Sequence, residues 1–182
     1  MADLNSPTAR QRPPADDSPD SALSGEPVWD IIELLFFAYR DFVSDPDEVL
    51  GKLGFGRAHH RVLHFVNRNP AMKVANLLDI LKITKQSLGR VLKQLIDEGY
   101  IVQKEGASDR RQRLLYTTPK GEALALKLAG LQTRRILRAL DALPPGAHDA
   151  ARQFLIAMLE ADGRDEVLRL IEHAKRGTPA RS

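Results

Sequence analysis

The sequence predicts a mainly α-helical (α+β) chain, a winged helix-turn-helix set between N- and C-terminal helices. Three observations carry this. The run from Leu77 to Glu122 reads as a short helix, a tight turn, a longer helix and two strands. The loop between those strands is basic, with Arg110 and Arg111 ahead of Arg113. The segments on either side repeat their apolar residues at helical spacing.

In chain order, residues 1–27 are rich in Pro, Ser, Asp and Ala, with few large apolar groups. They are expected to be a disordered, solubilising tail. Val28–Val43 then forms a helix that is apolar on almost every side, with Trp29, Ile31, Ile32, Leu34, Leu35, Phe36, Phe37, Tyr39, Phe42 and Val43. Such a helix must be surrounded, and one small lobe cannot surround it; a second subunit can. Residues 28–55 are therefore read as a dimerisation helix and its connector. Another helix follows over Gly56–Asn67 and carries His59, His60 and His64.

The longer helix of the helix-turn-helix opens at Ile83-Thr84, with Thr84 as its cap and Ile83 placed to pack on Leu88. Leu88, Val91, Leu92, Leu95 and Ile96 make one apolar stripe, and Gly99 stands just past the end. Gln86, Arg90, Lys93 and Asp97 fall on the opposite face beside Gly89, with Lys85 and Ser87 flanking the first turn. First-turn residues of a recognition helix meet base edges. Thr84, Lys85, Gln86, Ser87, Arg90 and Lys93 are thus the expected DNA contacts of this helix. Gln reads adenine and Arg reads guanine, at about 1–3 kcal/mol of discrimination per good pair. A merely solvated polar face is the alternative.

The wing comprises Tyr100–Lys104, a Glu105–Gln112 loop and Arg113–Thr117. Gly106 and Ser108-Asp109 supply turn chemistry. Asp109 is expected to be structural, capping the turn or pinning a guanidinium. Arg110, Arg111 and Arg113 are expected to reach the backbone or the minor groove. Residues 56–118 make up this DNA-binding domain.

Thr118-Pro119 starts a long helix, Thr at the cap and Pro at the first helical position. It runs to Leu143, where Pro144-Pro145-Gly146 breaks it. Amphipathic helices over His148–Ala161 and Glu166–Lys175 follow. Residues 119–176 are assigned to a C-terminal dimerisation lobe shared with the first helix, and 177–182 to a flexible tail. A two-fold dimer would present its recognition helices roughly 34–36 Å apart, about one DNA turn.

Net charge is only +3, yet residues 1–27 carry −3 and 28–56 carry −4, so the remainder carries +10. Basic surface begins where the DNA-binding lobe begins, as a phosphate footprint requires. No apolar run approaches the roughly 20 residues of a membrane span, and the N-terminus lacks the apolar core of a signal peptide. With no cysteine and no export signal, a cytoplasmic, non-membrane protein is expected.

The stretch from about Gly56 to Glu122 resembles the winged helix-turn-helix of the MarR family of bacterial transcription regulators. The resemblance rests on Asp109-Arg110-Arg111 and Leu115-x-Thr117-Thr118-x-x-Gly121, after a helix ending Ile96-Asp97-Glu98-Gly99-Tyr100-Ile101. The flanking helices match the family's layout too, leaving only the first twenty-seven residues outside it. It implies an obligate homodimer, a palindromic double-stranded operator and, usually, a small ligand or oxidant that alters DNA affinity. The expected function is sequence-specific repression of transcription. Absence of cysteine rules out the thiol-oxidation switch of some members.

Five of the ten aromatic residues lie in Val28–Val43. A pocket between that helix and the DNA-binding lobe would take a small aromatic or amphipathic effector. Trp29, Phe36, His60 and His64 are its candidate contacts, and His59 and Arg61 are further polar groups nearby. His60 and His64 share a helix face, but two imidazoles are short of the three or four ligands a metal needs. No metal or cofactor is expected, and His64, among Leu63, Phe65 and Val66, is expected to be packed. No phosphate-binding glycine loop, nucleophile elbow or carboxylate pair suggests an enzyme. The competing reading is a ligand-independent winged-helix adaptor for RNA or a protein partner. Neither the recognition face nor the wing tip offers the stacking aromatics of a single-strand RNA reader.

Overall fold

A computed structural model describes residues 26–106 and 112–176. The chain divides into two units after Ala38. The described part of the first is 26–38, helical from Trp29 onward as the opening of helix α1 (Trp29–Gly51). Most of its large side chains are exposed, Trp29 at 62% and Phe36 at 70%, while Ile32 and Leu35 are half-buried. The enclosure that such an apolar helix calls for is therefore not supplied by this unit itself.

The second unit begins with the rest of α1, which runs past the expected end at Val43, through Pro46, to Gly51. An interior proline costs about 3 kcal/mol. Burial in the last turns of the helix offsets that cost, since Pro46 and Leu50 are both fully buried and Leu50 joins the core. Arg135 clamps Asp45 nearby (3.3 Å).

Next come α2 (Arg57–Arg68), β1 (Met72–Lys73), α3 (Val74–Leu81), α4 (Lys85–Asp97), β2 (Ile101–Glu105), β3 (Arg113–Thr117) and α5 (Pro119–Asp141). The strands form an antiparallel sheet in the order β1-β3-β2. Two strands were expected. The third, β1, pairs only Met72 with Leu115 and Lys73 with Leu114, too short to leave a period in the sequence.

One core joins these elements: Val62, Leu63 and Val66 from α2, Leu77 and Leu81 from α3, and Leu88, Leu92 and Leu95 from α4. Ile101 and Leu115 from the sheet and Leu124 and Leu128 from α5 complete it. Each such side chain contributes about 1.5–3 kcal/mol when withdrawn from water. Ile83 packs against this core, which includes Leu88, as expected of a hydrophobic staple.

The end of the chain differs from expectation in its boundaries. Helix α6 spans Ala147–Ala157 and α7 spans Ala161–Arg176, so α7 starts five residues early. Arg164 explains the tight turn between them: its Nη2 donates to the carbonyls of Ala157 (3.3 Å) and Leu159 (2.7 Å). Leu137 on α5, Phe154 and Leu155 on α6, Met158 just after it and Ile171 on α7 remain exposed. Among the described residues, no helix is long and apolar enough to cross a membrane.

The end of α4, the base of the sheet and the start of α5 meet in one junction. Gly99 takes a left-handed φ of 74° that ends α4. Thr118 caps α5, its Oγ1 accepting from Gly121 N (3.1 Å) while donating to the Gly99 carbonyl (2.7 Å). Its own N–H donates to the Tyr100 carbonyl (3.1 Å). A Cβ on Gly121 would lie 2.0 Å from that same oxygen, so only glycine lets α5 sit this close. Gly121→Ala is expected to destabilise the fold by about 2 kcal/mol or more, read as a lower urea midpoint.

Candidate nucleic-acid interface

The helix-turn-helix is built by two caps. Lys82 ends α3 in the left-handed region (φ 51°, ψ 44°), its N–H donating to Leu78 O. From α2, Arg61 Nη2 donates to the carbonyl of Leu81, the last residue of α3 (3.2 Å). Two residues after the turn, Thr84 Oγ1 accepts from Ser87 N (3.2 Å) and starts α4.

Helix α4 buries Leu88, Val91, Leu92 and Leu95 and turns the opposite side to solvent. Thr84, Lys85, Gln86, Gly89, Arg90 and Lys93 are exposed there, and Ser87 is half-buried. The expected contact residues thus share one accessible face, but they are not equivalent. Thr84 is committed to its cap, with its hydroxyl donating to Ser87 Oγ (2.9 Å). Lys93 is ion-paired with Asp97 one turn along, which offsets its charge. Lys85 and Arg90 have no ion pair among the described residues.

The neighbouring Gln94, not singled out in the sequence, is the helix's tie to α2. His59 Nδ1 accepts from Gly56 N (3.1 Å), which leaves the proton of a neutral ring on Nε2. That nitrogen lies 2.9 Å from Gln94 Oε1, and Gln94 Nε2 donates to Glu98 (3.0 Å). His59 also stacks on Phe55.

At the wing, Glu105 faces Arg113 across the β2–β3 pair, and their side chains form an exposed ion pair (3.2 Å). The Arg113 charge is therefore shared with that carboxylate. Gly106 N donates to Gln112 O (3.0 Å), closing the base of the loop. Asp109, Arg110 and Arg111 lie outside the described residues. Two exposed cations were missed by the sequence reading: Lys82 in the turn, and Lys104 on β2, whose Nζ sits 5.1 Å from the Tyr116 ring.

A cavity of about 250 Å³ opens behind this surface within the second unit. Tyr39, Phe42 and Phe65 give it aromatic walls, and Arg57, His60, Arg61, His64 and Gln132 give it polar ones. Two of the expected ligand contacts, His60 and His64, line it; Trp29 and Phe36 do not. Their place is taken by Tyr39 and Phe42, further along α1. Arg57 is paired with Asp47 (2.8 Å). His64 was expected to be packed but is exposed: Leu63 and Val66 take the buried side of α2, and its ring stands edge-on to Phe65. Among the described residues, no group of three or more potential metal ligands is gathered.

Burial lowers the pKa of His60, against a smaller opposing pull from Asp47. The protein around His64 lowers its pKa as well, with His60 and Arg68 adding to the effect. The ring is open to solvent on one side, which limits that effect.

Comparison with known proteins agrees with this architecture. A sequence model of the MarR family matches residues 53–112. The HTH-type transcriptional regulator PetP of Rhodobacter capsulatus is 44% identical over 138 residues, covering 76% of this chain and 83% of that protein. The structure of Streptococcus pneumoniae FabT in complex with DNA superposes with a TM-score of 0.64 at 16% identity, over 71% of this chain and 93% of that one. A MarR family protein of Mycobacterium tuberculosis in complex with p-aminosalicylic acid gives 0.52 at 21% identity, over 71% and 95%. The chain belongs to the MarR family, and its fold is that family's winged helix.

Two outcomes test this description. A Cβ on Gly89 would meet nothing within 4 Å, so Gly89→Ala is expected to stabilise the protein by up to about 1 kcal/mol in chemical denaturation. Because folding favours the neutral rings of His60 and His64, the unfolded chain takes up protons first. Their contribution is complete above pH of about 6.5 and declines as pH falls through that value. A His60→Gln/His64→Gln variant should show a flatter loss of stability between about pH 7 and 5.

Proposed function

We propose that the chain is a sequence-specific, DNA-binding repressor of transcription, acting in the cytoplasm as a homodimer on a palindromic operator. The observation that carries the reading is the exposed face of α4, where Lys85, Gln86 and Arg90 stand opposite a fully packed stripe. Gln86 and Arg90 have the chemistry to read base edges in the major groove, and Lys85 to meet phosphate. Thr84 and Ser87 hold the first turn at the groove, while Lys93 divides its charge between Asp97 and the DNA backbone. Arg110, Arg111 and Arg113 supply the wing's contacts, aimed by Asp109. The DNA-bound FabT structure shares this fold, which supports α4 as the groove-filling element.

Exposed apolar surface supports the dimer. Trp29, Leu34 and Phe36 in the first unit, and Leu137, Phe154, Leu155 and Met158 in the second, stand in water in a single chain. Large apolar side chains left in water on several helices are the raw material of association sites. A second copy covering it would bring two α4 helices to one duplex. The cavity lined by Tyr39, Phe42 and Phe65 is the proposed seat of a small aromatic or amphipathic effector that releases the DNA. The p-aminosalicylic acid complex of the mycobacterial family member supports that ligand class.

Footprinting on the DNA upstream of its own coding region is expected to show protection of an inverted repeat. Binding should fall steeply with salt, as counterion release from several phosphates requires. Arg90→Ala should lose about 1–3 kcal/mol of discrimination at one base pair. Arg113→Ala or Arg110→Ala should weaken all sequences alike and lower the salt slope by about 1. An unchanged ratio of operator to random-duplex affinity in Arg90→Ala would refute the base-contact role. Duplex binding that is absent at low salt would favour an RNA or protein adaptor instead.

A further inference from the structure

We propose that Arg61 couples the cavity to the helix-turn-helix: a small aromatic anion draws its guanidinium off the Leu81 carbonyl and loosens the turn that aims α4. This rests on the reading of the chain as a ligand-released DNA-binding protein, and adds to it the residue and the route by which the ligand acts.

Arg61 is placed to act in both directions. It lines the cavity, and its Nη2 also caps α3 through Leu81 O at 3.2 Å. One side chain thus touches both the space a ligand would fill and the last residue before the turn. Leu81 is itself buried in the core, so its carbonyl has a fixed place from which to accept.

Charge distinguishes it from its neighbour. Of the two arginines on the lining, Arg57 already meets the Asp47 carboxylate (2.8 Å). Arg61 is bonded to a neutral carbonyl. The Leu81 bond has one ionised partner, the guanidinium; a carboxylate brings a full opposite charge and accepts two parallel N–H bonds from the planar fork. A carboxylate held between the aromatic walls would therefore compete with the peptide oxygen for the guanidinium. Taking both carboxylate oxygens in the planar fork also fixes its orientation, and that orientation need not keep the Leu81 bond.

The turn is the part that can yield. Lys82 comes directly after Leu81 and is held in the left-handed region, which disfavours an L-residue with a side chain by roughly 1–2 kcal/mol. Such a conformation persists where its surroundings over-determine it. The Arg61 bond is one of those determinants, Lys82 N to Leu78 O another. Releasing the first leaves Ile83 and the Thr84 cap less fixed, and with them the angle of the first turn of α4. The ligand then favours the state in which α4 fits the groove less well, and by linkage DNA must oppose the ligand by the same factor.

The test uses the full chain, benzoate as the probe, and calorimetry, duplex binding and amide hydrogen exchange as the readouts. In the wild type, benzoate is expected to bind, to weaken duplex affinity by roughly 5-fold or more, and to speed exchange across residues 82–87. Duplex should weaken benzoate binding equally. Arg61→Gln should bind duplex, without benzoate, at the wild type's benzoate-saturated affinity. It should give no further response to the probe, and should already exchange fast at 82–87. Arg61→Lys keeps the cation without the fork, so it should bind benzoate yet transmit less of its effect. A purely structural Arg61 would lower affinity in both variants while leaving the response to benzoate intact, which would overturn the proposal. So would benzoate binding that leaves exchange at 82–87 unchanged, or a cavity that takes benzamide and refuses benzoate. A wild type that binds no duplex sinks the DNA-binding reading, whereas calorimetry and exchange still judge the Arg61 link.

Discussion

The approach of Gly121 to the Tyr100 carbonyl is the constraint on which the rest of the second unit depends. A single oxygen accepts the Thr118 N–H and leaves no room for a side chain on α5. Around it, Thr118 reaches back to Gly99. Lys120 lies over the Tyr100 ring (4.0 Å) and donates to Glu98 O (2.8 Å). The C-terminal end of α4, the first residues of β2 and the N-terminus of α5 therefore move as one piece. Close packing of this kind transmits displacement instead of absorbing it. A change in the direction of α5 must carry α4 and the base of the wing with it.

Against that rigid junction, the opposite end of α4 is held by polar contacts. Thr84 caps it, Lys82 bends into it through an unfavourable backbone conformation, and Arg61 fixes the preceding carbonyl. Local stability is not uniform in a fold, and segments held by a few exposed hydrogen bonds open more readily than core elements. The first turn of α4 is thus both the part nearest a groove and the part easiest to re-aim. Its surface carries the same mark: Gly89 lowers helix propensity by about 1 kcal/mol where nothing in the chain needs the space. A local cost with no local beneficiary points outward, to whatever approaches that face.

Much of this was legible in the sequence, for reasons that can be named. Helix α4 announced itself through a threonine cap, an apolar stripe at helical spacing and a glycine after its end, each a local signal. The two longer wing strands were found because five residues suffice to show a strand, and β1 was missed because two do not. The first helix outran its expected end at Val43 for the opposite reason: the burial of Pro46 and Leu50, a tertiary effect, carries it on to Gly51. Gly121 stood in the motif, but its role needed the Tyr100 carbonyl brought against it by the hairpin. The cavity was anticipated in kind and misplaced in detail. Its walls come from α1, α2 and α5, and chain position alone does not say which turn of α1 faces the other two.

Helix α2 is the wall that the cavity and the DNA-facing surface have in common. Val62, Leu63 and Val66 fix its buried side in the core at essentially zero exposure, so the helix itself is not free to shift. Its other residues divide between the two sites: His60 and His64 line the cavity, His59 reaches Gln94 in the middle of α4, and Arg61 serves both directions. With the backbone immobile, information can cross α2 only through side chains that reorient. His59 is held at both ring nitrogens and stacked on Phe55, which leaves it little freedom. Arg61, long, multiply donating and held to the turn by one described bond, has the most. The asymmetry between those neighbours is why the start of α4, and not its middle, is where an event in the cavity would be felt.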